Sequence, residues 1–170
     1  MEVAGINLLT FVGFVLSIVA AVFDLIGFAT PYWSSTSTSG VEVYSGLWRY
    51  CVTALGSTAC ASLGDLDLES WFKAVQAMEI LGFLCLLAAV VVVILKLFVL
   101  KDKPILKFVG IGCLATAAAF ILLGVVIYGA KISSLQINGV QLDNRHFSFA
   151  FVILAAISAI VASVLFGLDK

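Results

Sequence analysis

The sequence predicts an all-α transmembrane four-helix bundle carrying a small extracellular antiparallel β-sheet. Three observations predict it. Four apolar runs are long enough to cross a bilayer, a short lysine-rich connector joins the second to the third, and a Ser/Thr- and aromatic-rich segment with two cysteines joins the first to the second. Hydrophobic residues make up 63% of the 170 positions and charged residues 11%, where a soluble domain carries about a quarter charged. With a mean hydropathy of +1.21, most of the chain has lipid as its solvent, and the length fits one domain.

The runs are expected to span at about 6–30, 74–100, 106–128 and 147–168, since about 20 apolar residues cross a hydrocarbon core. Pro31 and Pro104 stand at run boundaries, where the missing N–H and fixed φ stop a helix. The first run has only Glu2 ahead of it. It is longer than a signal-peptide core of about 7–15 residues and no small-residue cleavage site follows, so it reads as a retained helix. Small residues recur at helical spacing: Gly13, Ser17 and Ala21; Gly112 and Thr116; Ala115 and Ala119; Ala155, Ala159 and Ser163. Such stripes let membrane helices approach closely, and they are assigned to packing within the bundle.

Orientation follows from charge. Lys96, Lys101, Lys103 and Lys107 cluster around the connector 101–105, which the positive-inside rule places in the cytosol. Both termini are then cytosolic, and segments 31–71 and 129–146 are extracellular. The longer of these holds one Arg against Glu42, Asp65, Asp67 and Glu69.

Within segment 31–71, β-branched, aromatic and hydroxyl residues read as strands, with Gly40 and Gly46 between them. Cys51 and Cys60 bracket TALGST. Their spacing is not that of a zinc site and no ligand partner lies nearby. On the outer side of a membrane a disulfide is stable, and closing so short a loop contributes about 2–3 kcal/mol. Cys85 and Cys113 fall inside helices and read as small apolar residues. Trp33 and Trp48 are either interfacial belt residues or anchors of the sheet on the helix ends. The alternating Ile132, Leu135, Ile137 and Val140 are expected to add one strand to the same sheet, whose free edge would suit contact with another copy.

Trp33, then Gly46-Leu47-Trp48, then Cys51 and Cys60 form a W…GLW…C…C pattern. In this the chain resembles the claudin superfamily: the claudins, peripheral myelin protein, the epithelial membrane proteins and the lens fibre membrane protein. The resemblance covers nearly the whole chain. WFKAVQAMEIL and HFSFAFVILAAI are similar to the peripheral myelin and epithelial membrane protein branch. The chain departs from the pattern at Gln76, where claudins typically place an arginine, and it ends at FGLDK without their C-terminal PDZ-binding residue. It also lacks the N-x-S/T sequon that many relatives in the myelin branch carry. The resemblance implies a left-handed bundle with an extracellular sheet, and roles in cell–cell contact, membrane organisation or paracellular barriers.

Two carboxylates fall inside spans, Asp24 and Glu79. Intramembrane ionisable groups are functional candidates, although each could also snorkel, bond a hydroxyl or carry a proton. Asp65, Asp67 and Glu69 either attract cations, as pore-lining acids do, or form a solvated loop. With one histidine, His146, and no nucleophile motif or phosphate loop, no enzyme activity and no cofactor or metal is expected. A net charge of −1 gives no footprint for nucleic acid. A tetraspanin is excluded by the missing CCG motif and by the larger loop coming first. The expected function is a plasma-membrane protein of cell–cell contacts or membrane organisation. Its partners are the lipid bilayer, other copies of itself in the same or a facing membrane, and other membrane proteins, with contacts at TALGST and around Gly139. The alternatives are a claudin-type barrier or cation pore, or an auxiliary channel subunit.

Overall fold

The computed structural model describes residues 2–3, 6–38, 40–66, 68–100, 103–137, 139–142 and 144–169. Asp67 and Lys101 lie outside the described residues. A two-residue ribbon, β1 (Glu2–Val3) with β2 (Ile6–Asn7), precedes the first of four long helices. These are α1 (Leu8–Ala29), α2 (Ser70–Ile94), α3 (Ile105–Lys131) and α4 (Phe147–Leu168). All four are long and apolar enough to cross a membrane. The Asn7 side chain accepts the Leu9 N–H at the start of α1, and the Thr30 hydroxyl donates back to the Ile26 carbonyl at its end, just before Pro31. A π-helical turn, Leu95–Val99, ends the second span. Pro104 precedes α3, where its missing N–H costs nothing.

Two helices overrun the lengths expected from hydropathy. The second begins at Ser70 and the third runs to Lys131. Phe72 in the extra turn of α2 and Tyr128 at the last expected residue of the third span are buried, so both helices run on to where the lipid-like sequence meets the sheet.

The helices close into a ring, α1 against α2 and α4, α3 against α2 and α4. Glycines set the approach. A Cβ on Gly82 would stand 2.6 Å from Ile121, and one on Gly27 2.2 Å from Val152. Gly13, Ser17, Ala155 and Ala159 are buried as the stripes predict. The stripes of α3 are not. Gly112, Ala115, Thr116 and Ala119 are all exposed on the outside of the bundle, and the inner face is Gly110, Leu114, Ala117, Ala118, Ile121 and Gly124. Small residues occupy both faces of this helix, so spacing alone selects the wrong one.

At one end of the bundle sits a five-stranded antiparallel sheet. Its strands are β3 (Ser34–Thr38), β4 (Val41–Ser45), β5 (Arg49–Ala54), β6 (Ser57–Ser62) and β9 (Asn144–Arg145), in the spatial order β6-β5-β4-β3-β9. Gly40, at φ +81°, makes the β3–β4 turn. The strand contributed by the second segment is not the alternating stretch. Ile132 opens a 3-10 turn, and β7 (Gln136–Ile137) pairs with β8 (Val140–Gln141) in a separate ribbon around Gly139. Asn144–Arg145 pairs instead with Ser34–Ser35. Ile132, Leu135 and Ile137 are buried in the core, together with Val43, Leu47, Leu63 and Leu142, but Ile132 sits in the 3-10 turn and Leu135 just after it, so the alternation is not that of one continuous strand.

Candidate functional site

The motif residues converge at the junction of sheet and helices. Trp33 is fully buried. Its indole N–H donates to the Gly27 carbonyl at 2.7 Å, and its ring meets Tyr128 and Phe149 edge-on at 4.9 and 5.7 Å. The Trp33 backbone donates to the Ser45 carbonyl and accepts from the His146 N–H, which ties β4 and the start of α4 to the end of α1. The Tyr128 hydroxyl donates to Ser34 Oγ at 2.8 Å. Trp33 is therefore an anchor, and the belt reading does not hold for it.

Gly46 has a physical reason that turn propensity does not supply. A Cβ there would stand 2.3 Å from the Thr30 carbonyl oxygen and 2.6 Å from Pro31 Cα. The segment after β4 lies directly on the end of α1, and only glycine fits. Leu47 is fully buried, and its carbonyl accepts the Gln76 side-chain amide at 2.6 Å. Gln76, notable in the sequence only as a departure, is thus the group that fastens the GLW segment to α2. Trp48 is half-buried against Phe28, with ring centroids 5.1 Å apart, and its indole nitrogen has no partner among the described residues.

Cys51 and Cys60 are bonded and stand directly opposite each other in the β5–β6 hairpin, Cα atoms 4.0 Å apart. The turn beyond them is Leu55-Gly56, with φ of +51° and +78°. Positive φ at both central residues matches the right-handed twist of the strands, and asparagine-glycine is the usual solution. Here an apolar residue takes the strained position, with its side chain 103% exposed. Every residue of β6 is also exposed. TALGST is where contacts are expected from the sequence, but the strain at Leu55 is not legible there.

Of the acidic trio, Asp65 is exposed in the 3-10 turn Leu63–Asp65. Glu69 accepts the Trp71 indole N–H at 2.6 Å. Asp24 and Glu79 are both fully buried between helices, so neither snorkels to water. On the sheet flank Tyr32 stacks on Tyr44 at 4.7 Å, and the hydroxyl of Tyr44 beside it holds the Tyr32 phenol above the usual tyrosine range.

Four membrane-length helices topped at one end by a disulfide-closed antiparallel sheet define a multi-pass membrane protein of the claudin-like fold. The chain belongs to the PMP-22/EMP/MP20/Claudin family, whose family model matches residues 6–168. That match takes in the family as a whole and singles out no branch within it. No curated protein matches the chain.

Proposed function

We propose that the protein is a non-enzymatic component of cell–cell contacts, with its sheet outside the cell and Leu55 as the contacting tip against a second copy. The observation that carries this reading is the Leu55-Gly56 turn. A fully exposed leucine in a left-handed conformation costs both backbone strain and apolar exposure, a combination that makes sense where a partner covers it. The β6 edge beside it, STACAS, is exposed and carries neither the lysine nor the proline that protein edges use to prevent pairing. The lysine cluster near the opposite end supports an outward-facing sheet. The outward small-residue stripe of α3 suits lateral packing between copies in one membrane. A cation-selective route has less support, because Glu69 is engaged by Trp71.

Mixed cultures of expressing and non-expressing cells test the reading. Enrichment is expected only at borders where both cells express the protein, and a change in transepithelial resistance on the same monolayers would extend the role to a barrier. Leu55→Gly is the decisive variant. Glycine takes positive φ at no steric cost and Gly-Gly suits this turn, so the hairpin should still fold while the apolar tip is lost, and no N-x-S/T sequon is created as asparagine before Gly56-Ser57 would create one. Normal surface delivery with lost border enrichment supports the contact. Unchanged enrichment removes Leu55 from it, and no enrichment for the unmodified protein removes the trans contact itself.

A further inference from the structure

Both carboxyl oxygens of Asp24 and both of Glu79 lack a hydrogen-bond partner among the described residues. The two residues project from α1 and α2, each has 0% of its surface exposed, and they lie at similar depth, one nine residues before Trp33 and the other eight after Trp71, two rings that both meet Tyr128. The third wall is α3. A Cβ on Gly124 would stand 2.6 Å from Glu79 Oε1, so glycine is what makes room for the carboxyl. Two acids are thus sealed at similar depth inside the bundle, one of them seated against a glycine of a third helix.

No positive charge offsets them. Among the described residues the buried polar side chains are Thr10, Ser17, Asp24, Ser34, Ser45, Glu79 and Ser148, with no Lys, Arg or His. Facing groups that titrate are few on every element. From α3 there is Tyr128, whose hydroxyl is committed to Ser34. The thiols Cys85 on α2 and Cys113 on α3 are half-buried, and no charged residue of α4 is buried. An ionised carboxylate in such a place costs several kcal/mol without a partner, and two near each other repel. A resident divalent metal is poorly served, since among the described residues no three His, Cys, Asp or Glu side chains gather and calcium takes about six to eight oxygens.

We propose that Asp24 and Glu79 form an intramembrane proton-binding pair. Each carboxylate takes up one proton as α1 and α2 pack, and releasing those protons drives the two helices apart at this level. The ligand is the proton alone, and no other reactant enters. The consequence is a bundle whose packing is coupled to pH from inside the membrane, independently of any contact made by the sheet.

The test uses the full chain in phosphatidylcholine nanodiscs and infrared spectroscopy, with isotope-labelled aspartate and glutamate so that the first measurement needs no mutation. A protonated-carboxyl stretch is expected at neutral pH. It should lose one component in Asp24→Asn, the other in Glu79→Gln, and disappear in the double variant. Thermal stability of the unmodified protein should fall as pH rises above the ordinary carboxylate range, because the folded state holds protons that the unfolded state has released. The double variant should lose that slope while remaining folded at neutral pH. An ionised stretch at neutral pH, or one that shifts on adding Ca2+ or Zn2+, would overturn the proposal in favour of a cation-held pair. An unchanged slope in the double variant would overturn the coupling to packing.

Discussion

At the junction of sheet and helices, the Trp33 indole donates to Gly27, the Tyr128 hydroxyl to Ser34 and the Gln76 amide to Leu47. In the carboxyl layer within the bundle, the oxygens of Asp24 and Glu79 have no such partner among the described residues. Both layers lie in the interior and both contain polar groups. In the first, each of these three donors has one acceptor, and removing either leaves the other stranded. The second is unfinished in protein atoms, so its members are expected to be replaceable by neutral isosteres. Polar burial therefore carries two meanings in one small molecule, rigidity in the first layer and ionisation in the second.

The largest break in this contrast should come from Trp33→Ala. It removes a fully buried indole, two edge-on ring contacts and the bond to Gly27, and the expected loss is about 3–5 kcal/mol. Thermal unfolding in detergent and the fraction reaching the cell surface would both record it. Next is Gly46→Ala, whose methyl meets backbone atoms of Thr30 and Pro31 that cannot step aside. A cost of about 3 kcal/mol, at the upper end for overpacking, should appear in the same assays. The finest comparison sets Tyr128→Phe against Glu79→Gln. The first strands Ser34 and should cost about 1–2 kcal/mol. The second should lie within about 0.5 kcal/mol of the unmodified protein or above it. Equal destabilisation by the two would erase the distinction between the layers.

The sequence makes the helices and the Cys51–Cys60 crosslink legible, because each rests on a local signal such as run length, spacing or turn chemistry. What escapes it depends on distant atoms. The need for Gly46 comes from the carbonyl of Thr30, and the role of Gln76 comes from the carbonyl of Leu47. The fifth strand is Asn144–Arg145, which carries no apolar alternation to announce it and is set by its pairing with Ser34–Ser35. The outward face of α3 could not be read because small residues line both of its sides. Asp24 and Glu79 stand out in the sequence as misplaced charges, but only the fold shows that both are fully buried, with no buried Lys, Arg or His among the described residues.

The crosslink also has a mechanical meaning. A pull applied at Leu55 enters the β5–β6 hairpin at its tip and would peel it open one cross-strand pair at a time. Three pairs lie above the sulfurs: Ala54 with Ser57, Thr53 with Thr58, and Val52 with Ala59. At the fourth, Cys51 with Cys60, the tear meets a covalent bond and stops. Beyond that point the load passes along β5 to Arg49 and so to the GLW segment seated on α1 and α2. A load on the hairpin tip would thus reach the membrane helices without first opening the β5–β6 pairing beyond the crosslink.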